Sequence, residues 1–301
     1  MKRQAEPCEA VLSFRRRSRV KPGRKVAIIG LGLMGGSLGL ALKRRDSRIV
    51  VSASARREET RKLALELGAA DKVFERPGDA VRDADTIVFC TPVLSIPPLA
   101  KACLPFVGKD AVLTDVGSTK VELVAKFQDL SPAFVGSHPI AGSEEKGLAS
   151  AKASLYDGAV VVLTPIESSR PELIGRVENL WRGIGASTIT MSPEAHDKLI
   201  ARTSHLPHLL AASLATYVAA GKTDKTSKLC GPGFRDTTRV AAGPSDVWHD
   251  IVASNADCIL NELDGYSAVL DRLRAAISAR RFDEVRRFLE DARKGRGEIV
   301  D

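Results

Sequence analysis

Cysteine is scarce in this 301-residue chain, and its five copies (Cys8, Cys90, Cys103, Cys230 and Cys258) include no C-x-x-C pair. An odd number at wide spacing argues against a disulfide framework or a cysteine zinc site, and for reduced thiols in a cytoplasmic setting. Long apolar runs are missing too. The most apolar stretch, Leu206 to Ala220, contains His208 and is too short to cross a bilayer, so it reads as a core helix. Ala10-Val11-Leu12 is likewise too short to be the apolar core of a secretory signal. A net excess of basic charge is nearly absent from the body of the chain, although the formal net charge is +8. Residues 1–25 hold nine Lys or Arg against Glu6 and Glu9, which leaves the other residues a net charge of only +1. A charge excess confined to one end is a tail, not a nucleic-acid-binding face, and residues 1–24 read as a basic, disordered leader. Repeats and low-complexity segments are absent as well.

What is present starts at Lys25. Val26 to Ile29 is a short apolar run that breaks at Gly30-Leu31-Gly32-Leu33-Met34-Gly35 and passes into helical spacing through Leu38 and Leu42. A strand, a glycine turn and a helix in that order give G-x-G-x-x-G its meaning as a dinucleotide-binding turn. Gly30 permits the tight turn, Gly32 lets a pyrophosphate approach the backbone, and Gly35 lets the helix pack close to the sheet. Leu33 and Met34 open the helix whose free N–H groups would face the phosphates. The second strand, Ile49 to Ala53, should close on an acid that bonds a ribose hydroxyl. Ser54-Ala55-Arg56-Arg57 stands there instead, with no carboxylate before Glu58. Two guanidiniums suit a 2′-phosphate, so NADP is the preferred cofactor and NAD remains possible. Thr91-Pro92 ends a later buried strand, where the chain turns over the cofactor.

Strand-like runs at Asp71–Phe74, Thr86–Cys90, Ala111–Thr114, Ala133–Val135, Ala159–Leu163 and Ser187–Thr190 alternate with helical patterns. That alternation predicts an α/β fold, with a doubly wound, mostly parallel Rossmann-type sheet over residues 25–191. The pattern reads the segment Ile96 to Phe106 as a short helix interrupted by Pro97-Pro98. Ser192-Pro193-Glu194 then starts a region without convincing strands, so residues 192–301 read as an all-α domain. Its helices are apolar on several sides and too few to cover one another, which calls for a second subunit and predicts a homodimer.

Polar side chains capable of chemistry cluster at the carboxyl ends of the strands, where open α/β sheets bind ligands. His138 is placed directly after the strand ending at Val135, held between Ser137 and Pro139, and a histidine there can act as a base near neutral pH. His205 and His208 lie three apart in an apolar helix without a nearby Cys or carboxylate companion, which favours substrate contact over metal. Arg235, Asp236 and Arg239 share a helical face, and Arg239 either clamps a carboxylate or pairs with Asp236.

Asp115-Val-Gly-Ser-Thr-Lys120, Gly136-Ser-His-Pro-Ile-Ala-Gly-Ser-Glu144, Ser204-His-Leu-Pro-His208 and Gly233-Phe-Arg-Asp-Thr-Thr-Arg239 occur in this order, with Trp248 and Asn255 after them. Together they resemble the prephenate/arogenate dehydrogenase family of tyrosine biosynthesis, from about Val26 to the last helices. The resemblance implies oxidative decarboxylation of prephenate or arogenate with hydride transfer to NAD(P). It implies that His138 takes the ring hydroxyl proton, that Ser118 hydrogen-bonds that hydroxyl, and that Arg239 holds a substrate carboxylate. His205, His208, Glu144 and Asp236 would line the substrate pocket, and the family is dimeric. The competing readings are a related β-hydroxyacid dehydrogenase or imine reductase, and a non-catalytic dimeric dinucleotide sensor.

Overall fold

The computed structural model describes residues 24–142 and 145–300, the side chain of Val300 excepted. The expected leader therefore lies outside the described residues up to position 23. Arg24, counted with that leader, belongs to the folded body: it is half-buried, and its guanidinium donates to Thr86 Oγ1 at 2.9 Å and to the Arg176 carbonyl at 3.3 Å.

Lys25–Ile29 (β1) leads through the glycine turn into Leu33–Arg45 (α1). The alternation continues with Val50–Ser54 (β2), Glu58–Glu66 (α2), Lys72–Phe74 (β3), Pro77–Ala80 (α3), Thr86–Phe89 (β4), Ile96–Cys103 (α4), Val112–Asp115 (β5) and Val121–Leu130 (α5). The strands pair in parallel in the order β3-β2-β1-β4-β5. Successive side chains of β1 point to opposite faces, so Val26 and Ile28 enter one core and Ala27 and Ile29 the other. Burial on both faces explains why these strands read as unbroken apolar runs. Pro97 and Pro98 do not interrupt α4. They occupy its first turn, where a missing N–H costs nothing because those donors have no partner in the helix anyway.

Beyond β5 the sheet divides. Leu113 bridges Phe134 in parallel, its N–H donating to the Ala133 carbonyl at 3.0 Å and its carbonyl accepting from Val135 N at 2.9 Å. From Gly136 the chain leaves β5 and pairs elsewhere: Gly136–Ile140 (β6) runs antiparallel to Val160–Thr164 (β7), which is parallel to Ser187–Thr190 (β8). Pro171–Gly183 (α6) connects the last two. The loop expected after residue 135 is thus a strand, and His138 sits in its middle, opposite Val162. The sequence hides it because glycine, serine and proline are poor strand formers, and Pro139 is tolerated where one side of the strand has no ladder partner.

Ser192 caps Pro193–Ile200 (α7), accepting Ala195 N–H at 3.1 Å. Ala201–His205 follows as a π-turn in which Leu206 N–H reaches back to the Ala201 carbonyl, and Leu206–Ala220 (α8) resumes the helix. Pro207 has no N–H for the preceding turn and its ring crowds that turn's carbonyl, so the ladder widens there. Thr226–Leu229 (α9), Pro232–Thr238 (α10), Ser245–Ser254 (α11), Ala256–Ser278 (α12) and Phe282–Val300 (α13) complete a helical domain. Among the described residues no strand follows β8, and no helix is long and apolar enough to cross a membrane.

Candidate active site

The strand order reverses between β1 and β4, which brings the turns after those strands side by side. A Cβ on Gly30 would lie 2.7 Å from Thr91 Cγ2 and 2.9 Å from the Cys90 carbonyl oxygen, and Gly30 adopts φ +103°. Both facts require glycine there. Around Gly32, by contrast, an added Cβ would meet nothing within 4 Å. That space opens at the N-terminus of α1, whose first N–H groups have no partner inside the helix. Thr91 Oγ1 is buried and unpartnered among the described residues. Open space over free N–H groups, next to an unsatisfied hydroxyl, fits the phosphates of a dinucleotide. Leu33 and Met34 are half-exposed at the same helix end, and the Met34 carbonyl accepts the Tyr156 hydroxyl at 2.8 Å. Ser54 is buried and its carbonyl accepts Gly30 N–H at 3.2 Å, while Arg56 and Arg57 are exposed beyond the end of β2. Pro92 is exposed beside Thr91.

Where β5 and β6 part, side chains replace the backbone ladder. Asp115, fully buried at the end of β5, accepts Ser137 N–H at 3.0 Å through Oδ1 and Gly117 N–H at 2.7 Å through Oδ2. Lys120, also fully buried, donates to the same Oδ2. Ser137 Oγ donates to the Asp115 carbonyl at 2.5 Å and accepts from Trp181 Nε1 at 3.1 Å. These bonds fix the strand that carries His138. Its Nδ1 lies 2.9 Å from His196 Nε2, and His196 Nδ1 lies 2.7 Å from Asp197 Oδ1. Burial pushes the His138 imidazole well below its ordinary pKa of 6.5, helped by His196, the Lys120 ammonium and His205. At neutral pH the ring is unprotonated and able to accept a proton. Ser118 is half-buried on the loop between β5 and α5, one residue before Thr119, whose hydroxyl bonds Ser254 Oγ of the helical domain at 2.8 Å.

The helical domain supplies the opposing wall. His205, in the π-turn, is 1% exposed, and its Nδ1 lies 3.3 Å from Asn255 Nδ2. Its Nε2 is buried without a partner among the described residues, and burial lowers its pKa to about 4. His208 stacks on Trp248 with ring centroids 3.4 Å apart, and burial lowers its pKa as well. Gly243 is packed against both rings: a Cβ there would lie 2.8 Å from Trp248 Nε1 and 3.1 Å from His208 Cε1. The short 3₁₀ turn Arg239–Ala242 leads directly into that glycine, which places exposed Arg239 near the His208–Trp248 stack, with exposed Asp236 a turn earlier on α10. Glu144 lies outside the described residues.

This arrangement, a dinucleotide cradle and a neutral imidazole facing a histidine-lined helical wall, has known counterparts. Residues 38–190 match the family model described as prephenate dehydrogenase, nucleotide-binding domain, and residues 192–291 the prephenate dehydrogenase dimerization domain. The cyclohexadienyl dehydrogenase of Zymomonas mobilis is 36% identical over 91% of this chain and 95% of its own length. The chain belongs to the prephenate dehydrogenase family. Among solved structures, a prephenate dehydrogenase from A. aeolicus in complex with hydroxyphenyl propionate and NAD+ superposes at TM-score 0.86, with 30% identity over 92% of this chain and 98% of that one. A Synechocystis arogenate dehydrogenase superposes at TM-score 0.78, with 30% identity over 92% of this chain and all of that one.

The family's nucleotide-binding match contains Ser118 and His138, and its dimerization match contains His205, His208 and Arg239. Sequence reading missed His196, Asp197 and the Asp115–Lys120 pair. One signal was available. The buried face of α7 consists of Pro193, His196, Asp197 and Ile200, spaced i, i+3, i+4 and i+7. That is the core stripe of an amphipathic helix, and a histidine and a carboxylate inside it must find polar partners.

Proposed function

We propose that this protein oxidises prephenate or arogenate with loss of CO2, transferring a hydride to NADP+ in preference to NAD+. The observation that carries the reading is His138: a neutral imidazole held by a bonded network at the divide between β5 and β6, in a chain of this family. His138 accepts the proton of the ring hydroxyl, and Ser118 hydrogen-bonds and orients that hydroxyl. Arg239 pairs with a substrate carboxylate, and His205, His208, Glu144 and Asp236 shape the pocket around it. When bound, the nicotinamide supplies the hydride acceptor.

Once the hydroxyl-bearing carbon is a carbonyl, the ring carboxylate is a vinylogous β-keto acid. Its C–C bond then breaks with the electrons passing into the ring, and aromaticity drives the loss of CO2. The chain's own task is position, one base and carboxylate clamps. The new carbonyl itself takes up the electrons, so the chemistry asks for no metal. Nucleotide contacts fall within residues 25–191, the helical domain from residue 192 completes the pocket and forms a homodimer, and the enzyme works in the cytoplasm without nucleic-acid or membrane partners.

The test is an absorbance assay of reduced cofactor with each substrate and each of NAD+ and NADP+. Oxidation of neither substrate with either cofactor rejects the proposal. His138→Asn should retain cofactor binding and lose about 10²- to 10⁴-fold in turnover, the usual contribution of a general base. Near-normal turnover would reject the base role.

A further inference from the structure

His138 is carried by the nucleotide-binding domain, but the groups that settle its protonation pattern come from the helical one. Asp197 is 1% exposed, and three donors converge on its carboxylate: Lys120 N–H and His196 Nδ1 on Oδ1, at 2.8 and 2.7 Å, and Val121 N–H on Oδ2 at 2.8 Å. Its own carbonyl accepts Asn255 Nδ2 at 2.9 Å, so the carboxylate is fixed from both sides. The two backbone donors lie at the start of the ten-residue helix α5, where the dipole also favours a negative charge.

An ionised carboxylate can only accept hydrogen bonds. His196 Nδ1 must therefore carry the hydrogen it shares with Asp197. In a neutral imidazole the other nitrogen is then an acceptor, so His196 Nε2 can only receive a hydrogen from His138 Nδ1. A neutral His138 that donates through Nδ1 keeps its lone pair on Nε2. One buried carboxylate thus dictates two tautomers in succession.

We propose that His196 and Asp197 are positioning residues for His138, orienting its ring and reserving Nε2 as the nitrogen that takes the substrate proton. The proposal rests on the reading of His138 as the base. In the step itself the substrate O–H bond breaks, the Nε2–H bond forms, and the Nδ1–H of His138 stays bonded to His196. The resulting imidazolium is stabilised by the Asp197 charge acting through His196. The charged and titratable groups that face the pair are Asp197 from α7, His205 from the π-turn, and Lys120 from the β5 exit loop with its partner Asp115 at the end of β5. The base is therefore competent only while the helical domain is docked on the nucleotide-binding domain.

The decisive measurement is ¹⁵N-edited NMR of the histidine rings of the unmodified protein near neutral pH. Both His138 and His196 should be protonated on Nδ1 alone. An Nε2-protonated tautomer at either residue overturns the proposal without recourse to any variant. Kinetics give a second arm. His196→Leu should lower kcat by about 100-fold, near the lower end of a general base's contribution, with the KM for cofactor unchanged and His138 distributed over both tautomers. His196→Gln can donate its amide N–H to Asp197 and accept from His138 through its carbonyl, so it should recover much of the loss. Full kcat in His196→Leu beside an inactive His138→Asn would sink the positioning role and leave the base in place. Near-full kcat in His138→Asn would remove both.

Discussion

His205 shows what a single buried side chain contributes to the behaviour of this protein. Burial lowers its pKa to about 4, against 6.5 in the unfolded chain, and His138 and His208 are shifted in the same direction. A histidine held neutral in the fold adds no pH dependence above its unfolded pKa, where both states are unprotonated. As pH falls through 6.5 the unfolded chain binds protons that the folded one refuses, so stability declines until the folded pKa is passed. Melting temperature should therefore be flat from pH 7 to 8 and fall between about 6.5 and 4, and His205→Gln should make that fall shallower. A melting temperature that stays constant through the acid window would show that these rings are not buried neutral. At the same scale, the lone pair of one ring is set by its neighbour, which explains why His138 cannot be understood from its own flanking residues.

At the scale of the element, the helix α1 separates structural from functional glycines. A Cβ on Gly39 would lie 1.9 Å from the Ala69 carbonyl oxygen, so Gly39→Ala must push the helix off its neighbouring loop. Overpacking of that kind costs about 1–3 kcal/mol, against about 1 kcal/mol gained from helix propensity, so a net loss of melting temperature is expected. Gly32→Ala meets no protein atom and should leave melting unchanged while weakening NAD(P) binding, because the added methyl occupies the space over the free N–H groups. Calorimetry and a cofactor titration on both variants check the pair. Equal binding by Gly32→Ala would take the pyrophosphate away from this turn. Strand β6 teaches the complementary lesson. Its composition argues for a loop, yet β7 imposes extended backbone on it, and the catalytic candidate comes to lie within a strand instead of at a loop tip.

For the whole molecule, the helical domain carries large apolar side chains that its own fold leaves uncovered. Leu260 and Leu270 on α12 and Leu289 on α13 are 58%, 47% and 60% exposed. Patches of this kind mark association surfaces, and the dimerization-domain match covers all three residues. Replacing Leu270 and Leu289 together by Glu should convert a dimer to a monomer in sedimentation equilibrium, and an unchanged mass would place the interface elsewhere. The expected two-domain plan was readable because helical and strand periods are written in neighbouring residues. The linkages that join the domains, such as Thr119 to Ser254 and Lys120 to Asp197, were not, because their partners are 135 and 77 residues apart.

The glycine turn, the alternation of strand and helix, and the family are all legible in the order of the residues. Each of these depends on local backbone freedom, on a repeating apolar spacing, or on motifs read in order along the chain. That His196 and Asp197 stand behind His138 emerges from the folded chain alone, since the two histidines are 58 residues apart and nothing local to either names the other. A proton's position on an imidazole is set by whichever acceptor the fold delivers to the ring, and that delivery exists only once both domains are packed together.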